Sequence, residues 1–219
     1  MPYHMLTFII PISYDADADC PLFKKFIEEV THPDDINFLQ ECIGYCFYRN
    51  YNRAVFVLLL GHRRNGKTTL IKILTILLGE QNVEHLQLHK LAYDDFAIIR
   101  LYMKWANLCA DIENYEIKRT GILKQLKSNE PIFAKELYKE GFNFVNFTKL
   151  LFSCNELPVC LDKTFAMEER LAVIEFPNEF PRDSLECDSF LYEKLQKVLS
   201  GIFNWAIGRI KRLIQNKTF

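Results

Sequence analysis

Apolar residues along this chain follow two rhythms, and the change comes near residue 50. From Pro21 the pattern is helical. After the start signal Thr31-His32-Pro33-Asp34-Asp35, apolar residues recur at 38, 39, 42, 43, 46 and 47, one face of an amphipathic helix. Beyond residue 50 the apolar residues gather into short runs. Val55–Leu60, Trp105–Ala110, Lys149–Cys154 and Leu171–Phe176 read as strands. The stretch from Gly66 to Leu78 is apolar nearly all round, which predicts a buried helix, and Gly79 supplies its stop. Strands apolar throughout and alternating with helices predict an α/β fold: a mostly parallel central sheet covered on both faces, three layers in all. Two extended runs flanking Lys139-Glu140-Gly141 predict a β-hairpin inserted in it. Phe190 to Leu213 reads as one long helix, apolar at 191, 195, 198, 202, 206, 210 and 213. These elements divide the chain into an N-terminal extended and helical appendage (1–50), a core (51–183) and a C-terminal helical segment (184–219).

Composition narrows the picture. The 219 residues are 49% hydrophobic with a formal net charge of −1, so contact with a polyanion has to come from a local patch. The seven cysteines form no C-x-x-C pair and read as reduced, buried thiols. Asp15, Asp17 and Asp19 imitate the start of a calcium loop, but Cys20 and Phe26 stand where such a loop needs glycine and glutamate. No apolar run approaches the ~20 residues that span a bilayer, and MLTFIIPI lacks the basic flank of a signal peptide. The expectation is a cytoplasmic chain without a membrane partner.

Chemistry concentrates between the predicted core strands. GHRRNGKTT, Gly61 to Thr69, follows the first of them and fits the phosphate-binding pattern G-x-x-x-x-G-K-[ST]. Gly61 and Gly66 let backbone approach an anion, Lys67 reaches the β- and γ-phosphates, and Thr68 holds Mg²⁺ through its hydroxyl. Asn65 and Thr69 complete the expected ATP contacts. WANLCADIE supplies the acidic element. If its strand continues, Asp111 and Glu113 share a face, one carboxylate for the Mg²⁺ shell and the other to polarise the attacking water; Glu116 is a further candidate. In KLLFSCNELP, Asn155 follows an apolar strand, placed to orient a water against the γ-phosphate. In PIFAKELYKEGFNFVNF, Lys135 and Lys139 add positive charge beside aromatic residues.

The order of these elements resembles the superfamily 3 helicase domain of phage and plasmid primases and related viral replication proteins. It covers roughly residues 14–180: a helical lead-in, the phosphate loop with its Asn-Gly-Lys, the acidic strand end, the lysine-bearing hairpin and a strand ending in Asn-x-x-Pro. The resemblance implies an AAA+-like ATPase that assembles into a ring, usually a hexamer, and translocates on single-stranded DNA. It casts Asn155 as the polar sensor and places Lys135 and Lys139 on a hairpin facing the central channel. It also assigns Arg170 to the neighbouring subunit's ATP. LKSNEPI lacks the glycines the family often carries before the hairpin, and Glu169 stands where a second arginine is common. No primase site is evident, so a primase would be a further domain or a partner chain. Two other readings share the loop: a small-molecule phosphotransferase, and a non-hydrolysing loader or scaffold.

Overall fold

Alternation within single strands sets the layers. The computed structural model describes residues 9–50, 55–112, 119–126, 128–158, 171–181 and 188–210. Its strands in chain order are β1 (Phe56–Leu60), β2 (Val83–Glu84), β3 (Ala106–Cys109), β4 (Pro131–Ala134), β5 (Phe142–Val145), β6 (Lys149–Cys154) and β7 (Leu171–Glu175). Strand β1 sends Val57 and Leu59 to one face and Phe56 and Leu58 to the other, and all four are buried. A strand wet on neither face has no polar positions to alternate, hence the unbroken VFVLLL.

The helices are α1 (Pro21–Val30), α2 (Ile36–Tyr45), α3 (Lys67–Leu78), α4 (Leu88–Tyr93), α5 (Gly121–Gln125), α6 (Leu191–Gln196) and α7 (Leu199–Ile207). On the Val57–Leu59 face, Phe23 and Ile27 of α1, Leu39 and Ile43 of α2, and Leu70, Ile73 and Leu77 of α3 form one cluster. Ile202 and Ala206 of α7 complete it. The other face is covered by Leu91 of α4, Leu123 of α5, and Ile132, Ala134 and Phe144 from the hairpin. The N-terminal helices thus share one apolar cluster with the sheet.

Five strands form the central sheet in the order β2-β3-β6-β1-β7, every pairing parallel. The expected hairpin is present: β4 and β5 pair antiparallel, with Ile132 opposite Phe144. The chain leaves β1 toward one side of the sheet, while β7 flanks β1 on the other. That reversal opens a crevice at the carboxyl end of β1, where α/β sheets bind ligands.

The single long C-terminal helix is corrected. It breaks at Lys197–Val198 into α6 and α7; its expected end at Leu213 lies outside the described residues. The turn re-aims α7 so that Ile202 enters the core while Gly201 and Asn204 meet the backbone of residues 15–20. A Cβ on Gly201 would sit 2.3 Å from the Asp19 carbonyl oxygen. The Asn204 amide donates to the carbonyls of Asp15 at 2.8 Å and Ala18 at 3.0 Å. The Asp15–Asp19 run is therefore engaged in local structure: Asp15 accepts from the Asp17 N–H, and Asp19 pairs with Lys24. Among the described residues no helix is long and apolar enough to cross a membrane, and the five cysteines described are free and buried.

Candidate functional site

The phosphate-loop sequence occupies the crevice at the end of β1. Its first residue is tied to a neighbouring strand: the Gly61 N–H donates to the Cys154 carbonyl at 3.2 Å. The Phe176 N–H donates to the Leu60 carbonyl at 2.7 Å, which ties the other side. Gly61 is required by closeness, since a Cβ there would stand 2.2 Å from Asn65 Nδ2 and 2.5 Å from the Phe176 oxygen. Gly66 has φ +89° and lies against α1, where a Cβ would meet Val30 Cγ1 at 2.7 Å. Both left-handed backbone and contact there demand glycine. Arg64, also left-handed at φ 60°, accepts from the Phe180 N–H at 2.8 Å.

Within this frame the polar side chains converge. Buried Asn65 donates to the Phe176 carbonyl at 3.2 Å and accepts from Lys67 Nζ at 2.9 Å. The Lys67 ammonium also donates to the carbonyls of Gly61 at 2.5 Å and His62 at 2.7 Å. Burial pushes the Lys67 pKa below the ordinary lysine value, opposed by Cys154 and the Asp111 carboxylate. Helix α3 begins at Lys67 with no side-chain cap; its first internal bond runs from the Leu70 N–H to the Gly66 carbonyl. The N–H groups of Lys67, Thr68 and Thr69 stand ahead of that bond, at the positive end of a twelve-residue helix. Free N–H groups at a helix amino end beside a lysine are an arrangement that can hold an anion.

Parallel strands bring the remaining elements to the same edge. Asp111 follows β3, and the Ile112 N–H donates to the Ser153 carbonyl at 2.9 Å, extending the β3–β6 pairing past the assigned strand. Asn155 follows β6, between the β3 and β1 ends, and both Asp111 and Asn155 are exposed. At the usual strand spacing, Asp111 lies about 10 Å from the Gly61 backbone. Thr68 is exposed on the first turn of α3. Glu113, Glu116 and Arg170 lie outside the described residues. Lys135 and Lys139 belong to the hairpin connection rather than this edge. Lys135 Nζ rests 5.3 Å over the Phe96 ring, and Lys139 pairs with Glu136.

One feature had no sequence signal. A cavity of about 1030 Å³ adjoins Gly66 and Thr69, bounded by Phe26 and Glu29 of α1, Asn178 after β7 and Tyr192 of α6. Four segments separated in sequence build it, residues 22–30, 64–69, 178–180 and 188–192, and no spacing links them.

Residues 59–170, just over half of the chain, match the model of a family described as a family of unknown function, DUF5906. The chain belongs to that family. No curated protein matches it in sequence. Among solved structures, the DUF5906 chain is similar to the apo NrS-1 C-terminal region. The match has a TM-score of 0.70 and 14% identity, over 96% of this chain and 54% of that one. The A form of the same region gives 0.69 and 15%, over 96% and 53%. This chain therefore spans about half the length of the NrS-1 region, and the shared property is the fold. A JCV helicase structure is similar at a TM-score of 0.43 and 16% identity, over 90% of this chain and 65% of that one; a likeness that distant carries no weight.

Proposed function

We propose that this chain is the motor portion of an ATP-dependent DNA helicase of the superfamily 3 type, working as a homo-oligomeric ring, a hexamer by that resemblance. The observation that carries the reading is the Gly61–Thr69 loop at the carboxyl end of β1. There Lys67 and the amino end of α3 converge beside Asp111 and Asn155. ATP lies with its phosphates in the loop and its nucleoside in the cavity lined by Phe26, Asn178 and Tyr192. Lys67 exchanges its loop carbonyls for β- and γ-phosphate oxygens.

The Thr68 hydroxyl and the Asp111 carboxylate are hard oxygen donors suited to Mg²⁺, which when bound neutralises charge on the phosphates. Asp111 and Glu113 divide the metal-shell and water-polarising roles, and Asn155 orients the attacking water. Arg170 completes the neighbouring subunit's site, a contribution of roughly 10³- to 10⁵-fold where such arginines act. The hairpin that carries Lys135 and Lys139 is the part that meets single-stranded DNA. A primase domain or chain is the expected companion.

Steady-state ATP hydrolysis with and without single-stranded DNA, read beside native mass, tests this. The expected result is Mg²⁺-dependent hydrolysis, stimulated by DNA, from a multiple of the 25.8 kDa protomer. A monomer that turns ATP into ADP only when a small acceptor is added, with the γ-phosphoryl group recovered on that acceptor, would move the chain to the phosphotransferases.

A further inference from the structure

The hairpin connection, residues 135–141, does not have the character of a basic grip. Its four charges cancel, Lys135 and Lys139 against Glu136 and Glu140. Lys139 is already paired with Glu136, and Lys135 is drawn aside over Phe96. A neutral patch releases few counterions and gains little from a phosphate backbone.

What the connection presents instead is an aromatic apex. Tyr138 is 96% exposed and held at φ 63°, backbone that glycine adopts freely and tyrosine rarely does. Leu137 beside it is 58% exposed. The support below is firm. Phe133 lies over Gly141, where a Cβ would stand 2.2 Å from its Cζ. Phe142 meets Tyr102 edge to face at 4.9 Å.

We infer that Tyr138 is a stacking contact for the unpaired bases of single-stranded nucleic acid, so the hairpin recognises bases rather than phosphates alone. This rests on the proposed role of the hairpin in DNA binding. Base stacking on an aromatic ring is tolerant of sequence, because every base has a π-face, and is denied to a duplex, whose bases are already stacked. Both properties suit a motor that tracks one strand.

The test compares binding of an oligothymidine with that of an abasic strand of equal length and phosphate number, by fluorescence anisotropy, for the full chain and two variants. The unmodified protein should favour the thymidine strand by ~10-fold. Tyr138→Ala should lose that preference without changing how affinity falls with salt, and Tyr138→Phe should keep it. Equal binding of both strands by the unmodified protein overturns the inference and leaves the helicase reading standing. So does a preference that survives in Tyr138→Ala. Binding of neither strand overturns both. A lower native mass for Tyr138→Ala would assign the apex to a contact between copies and overturn the inference.

Discussion

Lys67 and Lys149 stand at opposite ends of the same sheet and look alike in exposure and in the number of oxygens they meet. They are 5% and 6% exposed. Each ammonium donates to three oxygens: Lys67 to Gly61, His62 and Asn65, and Lys149 to Tyr48 at 2.6 Å, Asn50 at 3.0 Å and Phe147 at 2.7 Å. Burial pushes both pKa values down, that of Lys149 to about 7. The difference lies in whose oxygens they are. The partners of Lys67 all lie within six residues of it, in a loop whose His62, Arg63 and Arg64 are exposed and which opens on the large cavity. The partners of Lys149 tie the segment after α2 to the start of β6, over the Tyr45 ring at 4.4 Å, beside a space of about 20 Å³. A buried, fully bonded lysine is therefore no signature of function. Lys67 can exchange its oxygens for those of a ligand, whereas Lys149 is a staple.

The contrast breaks most visibly in turnover. Lys67→Ala should lower ATP hydrolysis by about 10²- to 10³-fold, the scale of removing one preorganised charge from a transition state. Its melting temperature should change little, because the loop oxygens regain water; near-normal turnover would make Lys67 a second staple. Lys149→Ala should do the reverse, costing about 2–3 kcal/mol in urea denaturation as carbonyl acceptors lose their donor. Hydrolysis per folded molecule should stay within about twofold, since the change lies across the sheet from the site.

A pH series sharpens the second case. Below about pH 7 Lys149 is charged in both the folded and the unfolded chain. Between there and the ordinary lysine pKa only the unfolded chain keeps the proton, so stability rises with pH, by at most about 1.4 kcal/mol per unit from this residue. It is lost again as pH falls toward 7. Lys149→Met should flatten that part of the rise, and an unchanged slope would remove Lys149 as its source. The smallest effect belongs to Lys139→Ala, whose exposed pair with Glu136 should be worth less than about 0.5 kcal/mol in unfolding. The logarithmic salt slope of DNA binding should become shallower by about one if Lys139 touches a phosphate.

Strands β1, β3, β6 and β7 were legible within one residue at each end because each is short and mostly apolar; β1, β3 and β6 are buried almost throughout, whereas β7, at the sheet edge, buries only Ile174. The phosphate loop was legible because its glycines and lysine are fixed by local backbone geometry. Strand β2, two residues long, is too short to show any period. The break before α7 was hidden because apolar positions keep helical spacing across Lys197; its cause is tertiary, the approach of Gly201 to Asp19. Lys149 opened a predicted strand with no role assigned to it, and only the remote carbonyls of Tyr48 and Asn50 reveal why it is buried. The hairpin lysines were legible as residues, but not that Lys135 is drawn aside, since Phe96 lies far from it in sequence; the pairing of Lys139 depends on the turn that returns it to Glu136.

Equilibrium titration of the purified chain with ATP and Mg²⁺, run beside Lys67→Ala, tests most directly that the Gly61–Thr69 cradle receives a triphosphate. Saturable binding by the unmodified protein, weakened at least ~10-fold in the variant, is the predicted result. Superimposable isotherms for the two proteins, or a folded chain with no affinity for the nucleotide, would contradict it.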